Sequence, residues 1–82
     1  MQVSPPPDGT YEFIATWPIV TCVRYRIVDG ALETGRTPPI PWVDPPGKFM
    51  RGIEELAMDT TTHEFAGRYG PDVYTGKFRR LY

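Results

Sequence analysis

The sequence predicts a mainly-β chain: a small antiparallel sheet rolled into a barrel of five to six short strands, with room for one short helix around residues 48–58. Three observations carry that expectation. Apolar and polar residues alternate with period two over several stretches, as half-buried strands do. Turn signals recur between those stretches at the close spacing of small all-β domains. The 10 prolines and 8 glycines among 82 residues leave little uninterrupted length for helix.

The elements follow in order. Residues 1–9 read as a flexible proline-rich lead, since Pro5-Pro6-Pro7 favours extended polyproline II and Asp8-Gly9 is a turn signal. Residues 10–82 then form a single small domain. From Thr10 to Trp17 the chain alternates, with Tyr11, Phe13, Ala15 and Trp17 on one face and Thr10, Glu12 and Thr16 on the other; Ile14 is the exception. Pro18 interrupts the ladder. Ile19 to Val28 is rich in β-branched residues, and Val23, Tyr25 and Ile27 alternate with Arg24 and Arg26. Asp29-Gly30 suits a two-residue hairpin turn, because both residues tolerate positive φ. That turn sets Val28 against Ala31, Ile27 against Leu32 and Arg26 against Glu33, the last an opposite-charge pair.

Residues 37–47 hold five prolines, which argue against helix and regular ladder and mark a long connection. The segment is too apolar for an idle linker, so Ile40, Trp42 and Val43 must pack somewhere. In residues 48–59, Phe49, Met50, Ile53, Leu56 and Ala57 follow a helical spacing. Gly52 and the run Thr60-Thr61-Thr62 favour strands and turns instead. The segment is therefore a short helix ending by Met58 or a strand turning at Asp59–Thr61. His63 to Tyr69 reads as a strand, Gly70-Pro71-Asp72 as a turn and Val73 to Leu81 as the last strand.

Bulk properties narrow the function. The chain is too short for a dinucleotide-binding domain plus a substrate domain, or for a TIM barrel. A net charge of −1 gives no global attraction to duplex DNA or an anionic bilayer. No apolar run nears the ~20 residues of a membrane helix, so no membrane partner is expected. One cysteine, Cys22, rules out an intramolecular disulfide. The N-terminus has neither a cationic nor an apolar leader segment, so a cytoplasmic protein, or one assembled intracellularly into a larger particle, is expected.

Four groups of residues carry candidate chemistry. On one continuous helix, Glu55, Asp59 and His63 would share a face as metal ligands or acid and base, but the threonines argue against that helix. Cys22 and His63 would make a thiol–imidazole dyad only if the fold joined them; a small buried hydrophobe is the plainer role for Cys22. No catalytic set, metal or cofactor is expected on this basis. Near the C-terminus, Arg68, Tyr69, Tyr74, Lys77, Phe78, Arg79 and Arg80 interleave cations and rings as a single-stranded nucleic acid site does, although one-sided strand alternation explains the same pattern. Pro39, Ile40, Pro41, Trp42 and Val43 form a stiff apolar segment suited to anchoring a protein partner, or to capping a barrel. The leading expectation is a non-catalytic protein–protein interaction or assembly module, binding another protein or a second copy of itself. A phage or mobile-element accessory protein, acting as virion component or inhibitor of a host protein, is the kind of chain this size suits. The alternatives are a single-stranded nucleic acid binder and a small metal-dependent enzyme.

Overall fold

A computed structural model describes residues 4–82; the first three residues of the expected flexible lead lie outside the described part. Every regular element in it is a strand: β1 (Gly9–Trp17), β2 (Thr21–Val28), β3 (Ala31–Glu33), β4 (Ile40–Val43), β5 (Lys48–Arg51), β6 (Glu54–Asp59), β7 (Glu64–Tyr69) and β8 (Asp72–Arg80). Each strand pairs antiparallel with the next, and β8 returns to β1, closing a barrel in chain order. Closure removes the free edges that an open sheet would present. The expected barrel is present, with eight strands in place of five to six.

The helix allowed around 48–58 is replaced by a hairpin. Gly52, at φ +60°, turns the chain so that Arg51 faces Glu54, Met50 faces Glu55 and Phe49 faces Leu56. A two-residue turn thus joins residues seven apart, which is also a helical repeat. The same apolar pair, Phe49 and Leu56, satisfies both patterns, and only the turn residues separate them. Segment 37–47 also needs correction, because β4 forms inside it. The β3–β4 ladder is short, with Leu32 opposite Ile40 and Ala31 opposite Pro41, a residue with no N–H to donate.

The Asp29-Gly30 hairpin has the expected register throughout: Val28–Ala31, Ile27–Leu32 and Arg26–Glu33. Asp29 and Gly30 hold φ values of 53° and 75°. Asp8 braces this turn from outside, its carboxylate accepting hydrogen bonds from the N–H groups of Asp29 (2.9 Å) and Gly30 (3.2 Å). Arg80 in turn donates to the Asp8 carbonyl at 2.8 and 3.2 Å. These bonds tie the segment before β1 to the end of the barrel where the chain also finishes.

Inward-facing residues can be followed across the ladder. Phe13 pairs with Val23 and Phe78, Leu56 with Phe49 and Gly67, and Gly67 with Tyr74. The buried core is wholly hydrophobic: Tyr11, Phe13, Ile27, Leu32, Ile40, Phe49, Leu56, Phe65 and Phe78. Phe13 is its centre, with ring centroids 5.3 Å from Phe65, 5.6 Å from Tyr25 and 5.9 Å from Phe78. An eight-stranded barrel of this kind has an interior just wide enough for side chains or one small ligand.

One expected inward residue leaves the core. The register of β1 against β8 slips between Ala15 and Trp17, so that Ala15 faces Gly76 while Trp17 faces Thr75. Thr75 belongs to the outward row, opposite exposed Ala66. The extra residue of the bulge therefore moves Trp17 to the outer surface, where it is 59% exposed. Gly76 permits the close crossing, because a β-carbon there would overlap the backbone of Ile14 and Ala15.

Candidate functional site

In an up-and-down barrel, alternate connections lie at the same end. The links after β1, β3, β5 and β7 therefore form one rim, made by residues 18–20, 34–39, 52–53 and 70–71. The opposite end carries the Asp8–Arg80 bracing and the hydrogen bonds of Thr10 with Leu81 and Tyr82.

The rim is apolar and open to solvent. Ile19 is 70% exposed and Val20 79%, and both follow the outward-turned Trp17. Ile53 tips the β5–β6 turn, while Tyr69 and Val73 flank the β7–β8 turn, all of them exposed. The other large exposed hydrophobics among the described residues are Ile14 on the outer wall and Tyr82 at the far end. Arg51 stiffens the rim, its guanidinium donating to the carbonyls of Pro39 (2.9 Å) and Pro38 (2.8 Å). Those carbonyls belong to the long 34–39 connection, which is thereby fastened to the neighbouring turn.

Beneath the rim the barrel opens into a cup of about 580 Å³. Its floor is the upper surface of the core: Phe13, Leu32, Ile40, Leu56 and Phe65. Val23, Tyr25 and Tyr74 stand in its wall, and Arg36 and Glu54 lie at its mouth. Arg36 donates to the Tyr25 hydroxyl at 3.4 Å. Burial raises the pKa of the Tyr74 phenol, reinforced by Tyr25 and Glu54 and opposed by Arg36. A wider hollow of about 790 Å³ lies on the outer wall over small residues such as Ala57, Ala66 and Thr75. It is larger, but the cup alone combines aromatic walls with a guanidinium and phenolic hydroxyls.

The residues singled out by sequence are dispersed. In the proline-rich segment, Ile40 is buried in the core and half-buried Trp42 stands edge-on to Phe49, with ring centroids 5.0 Å apart. Ile40 is thus unavailable as a partner anchor. Pro41 is exposed and Val43 half-buried on the outward row, and only exposed Pro39 reaches the rim. The C-terminal basic and aromatic residues are split between two faces. Phe78 is core and Tyr74 lines the cup, whereas Lys77 points outward. Arg68 and Arg79 are paired on the outer wall, at 2.8 Å to Glu55 and 3.0 Å to Glu12. Arg80 is held on the Asp8 carbonyl.

The metal and dyad candidates fare similarly. Without a helix, Glu55 and Asp59 lie along strand β6, and His63 sits in the β6–β7 turn stacked 5.8 Å from Phe78. No group of three or more potential metal ligands comes together among the described residues. Cys22 is exposed on the outer wall, not a buried hydrophobe. It lies on β2 and is influenced by Glu12, not by His63. Among the described residues no helix is long and apolar enough to cross a membrane.

Sequence reasoning missed Trp17, Ile19 and Val20 as surface residues, and Tyr25 and Arg36 as cup residues. A signal for the first three was present: Trp17-Pro18-Ile19-Val20 is an apolar link between two strands, where turns are ordinarily polar. Tyr25 and Arg36 come together only through barrel closure, which no local spacing encodes. No protein-family model, curated protein or solved structure matches this chain, so its function is read from the geometry of this end of the barrel.

Proposed function

We propose that the chain is a non-catalytic protein-interaction module that docks a partner protein through the apolar rim. The observation that carries this reading is the gathering of Trp17, Ile19, Val20, Ile53, Tyr69 and Val73 at one end of the barrel. Exposed apolar residues scattered singly need no explanation, but six gathered at one end of a barrel are the kind of exposed apolar surface that interaction sites present. Tryptophan and tyrosine are also the residues that dominate binding energy at interface centres. The Arg51 clamp and the prolines reduce the ordering cost of docking. A lipid-facing role for the outer wall is disfavoured, because Glu12, Arg24, Arg26, Arg68 and Arg79 project from it.

The test is parallel affinity capture with wild type and the Ile19→Asp/Val20→Asp variant, followed by reconstitution of the complex from purified components. Loss of one central anchor costs about 2 kcal/mol, so the variant should bind at least about 30-fold more weakly. A wild-type protein that stays monomeric in sedimentation velocity and reconstitutes with nothing would overturn the reading.

A further inference from the structure

We propose that the cup beneath the rim is a small-molecule site for a flat aromatic ligand carrying an anionic group. This goes beyond the docking role and does not depend on it. A volume of about 580 Å³ lies within the range that holds small organic ligands, roughly 300–1,000 Å³. The floor offers only carbon: Phe13, Leu32, Ile40, Leu56 and Phe65 present ring and aliphatic surface upward. Such a floor stabilises an apolar body by excluding water from both surfaces. The side walls are the rings of Tyr25 and Tyr74, which favour stacking with a planar partner.

The charged groups of the lining are Arg36 and Glu54 at the mouth and the Arg68–Glu55 ion pair, while the Tyr25 and Tyr74 hydroxyls lie in the wall. Arg36 makes no ion pair among the described residues, and its one side-chain hydrogen bond is to the neutral Tyr25 hydroxyl at 3.4 Å. Most of its donors therefore remain available to a carboxylate, sulfonate or phosphate. The Tyr74 hydroxyl is a further donor in the wall. A neutral ring system would bury the same carbon surface but leave the guanidinium unused. Glu54 at the same mouth disfavours an anion, so the anionic form is preferred with its charge seated on Arg36, which has no carboxylate partner of its own among the described residues.

The experiment is fluorescence titration of the intact chain with 8-anilinonaphthalene-1-sulfonate and with its uncharged relative N-phenyl-1-naphthylamine. One-to-one saturation with preference for the sulfonate is expected. Arg36→Gln should weaken the sulfonate about tenfold, the loss of one charge-assisted bond, and leave the neutral dye unchanged. Val23→Trp, filling the cup, should remove both, with circular dichroism checking that the barrel still forms. Val20→Asp, outside the cup, should leave dye binding intact even where it abolishes protein docking, so the two proposals fail separately. Absence of saturable binding, insensitivity to Arg36→Gln, or amide shifts confined to Trp17, Val20 and Ile53 would each overturn the site.

Discussion

Gly67 and Tyr74 are partners across the β7–β8 ladder, and the Tyr74 ring occupies the space that a β-carbon on Gly67 would need. The glycine is thus a packing requirement: it lets the phenol lie against the β7 backbone and leaves the cup open beside it. Gly67→Ala must displace the ring or the strand. Overpacking of this kind costs about 1–3 kcal/mol, read as a lower urea midpoint. In a Tyr74→Ala background the same substitution should cost much less, because the clash is gone. An equal cost in both backgrounds would show that the penalty lies elsewhere.

The β6–β7 turn makes a pH prediction. Asp59 accepts backbone hydrogen bonds from Thr61 at 2.8 Å and Thr62 at 3.1 Å. The bonds from Thr62 and then Thr61 hold its pKa below the ordinary 3.8, with a smaller contribution from nearby His63. A carboxylate depressed in the folded state contributes stability that is complete above its unfolded pKa and disappears as pH falls through the folded one. The Asp59 contribution is therefore lost below about pH 4. Asp59→Asn should flatten the acid limb of the stability profile in that window. An acid limb unchanged by the substitution would assign acid sensitivity to other carboxylates.

Cys22 should be a slow thiol despite its exposure. Partial desolvation and the neighbouring Glu12 carboxylate raise its pKa, while Arg24 and Arg79 oppose the shift. Less thiolate is present near neutral pH, and the thiolate is the reactive form. Glu12→Gln removes the repulsion and frees Arg79, so alkylation by iodoacetamide at about pH 8 should accelerate. Glu33→Gln, whose carboxylate pairs with Arg26 instead, serves as the control and should leave the rate unchanged.

The sequence makes the barrel legible through its ladders more than through its connections. The Asp29-Gly30 turn and the alternation of Tyr74, Gly76 and Phe78 are local properties, and both have the expected register or face. Residues 48–58 are ambiguous in sequence for a physical reason: Phe49 and Leu56 are seven apart, a distance common to two helical turns and to a tight hairpin. Strand alternation alone places Trp17 inside; a bulge adds one residue and reverses its face, and the bare backbone of Gly76, on a strand distant in sequence, permits the close crossing there. The cup was illegible because Tyr25, Arg36 and Tyr74 come from three separate segments that meet only when the barrel closes.

The two tryptophans separate stability from docking. Trp42 packs edge-on against fully buried Phe49, whereas Trp17 stands on the outward row at the rim. Removing Trp42 deletes ring contacts against the core. Because the ring is only half-buried, Trp42→Ala should cost about 2–3 kcal/mol, less than the 3–5 of a fully buried tryptophan. In a domain of this size that lowers Tm by at least about 10 °C. Below its unfolding transition, the variant should still dock, since its rim is intact. Trp17→Ala should do the opposite, changing stability by no more than about 0.5 kcal/mol while weakening partner binding. Thermal unfolding and binding affinity, measured on both variants, form a two-by-two comparison. If Trp42→Ala weakened docking without lowering Tm, the anchor would lie in the proline-rich segment and the rim would be ordinary surface.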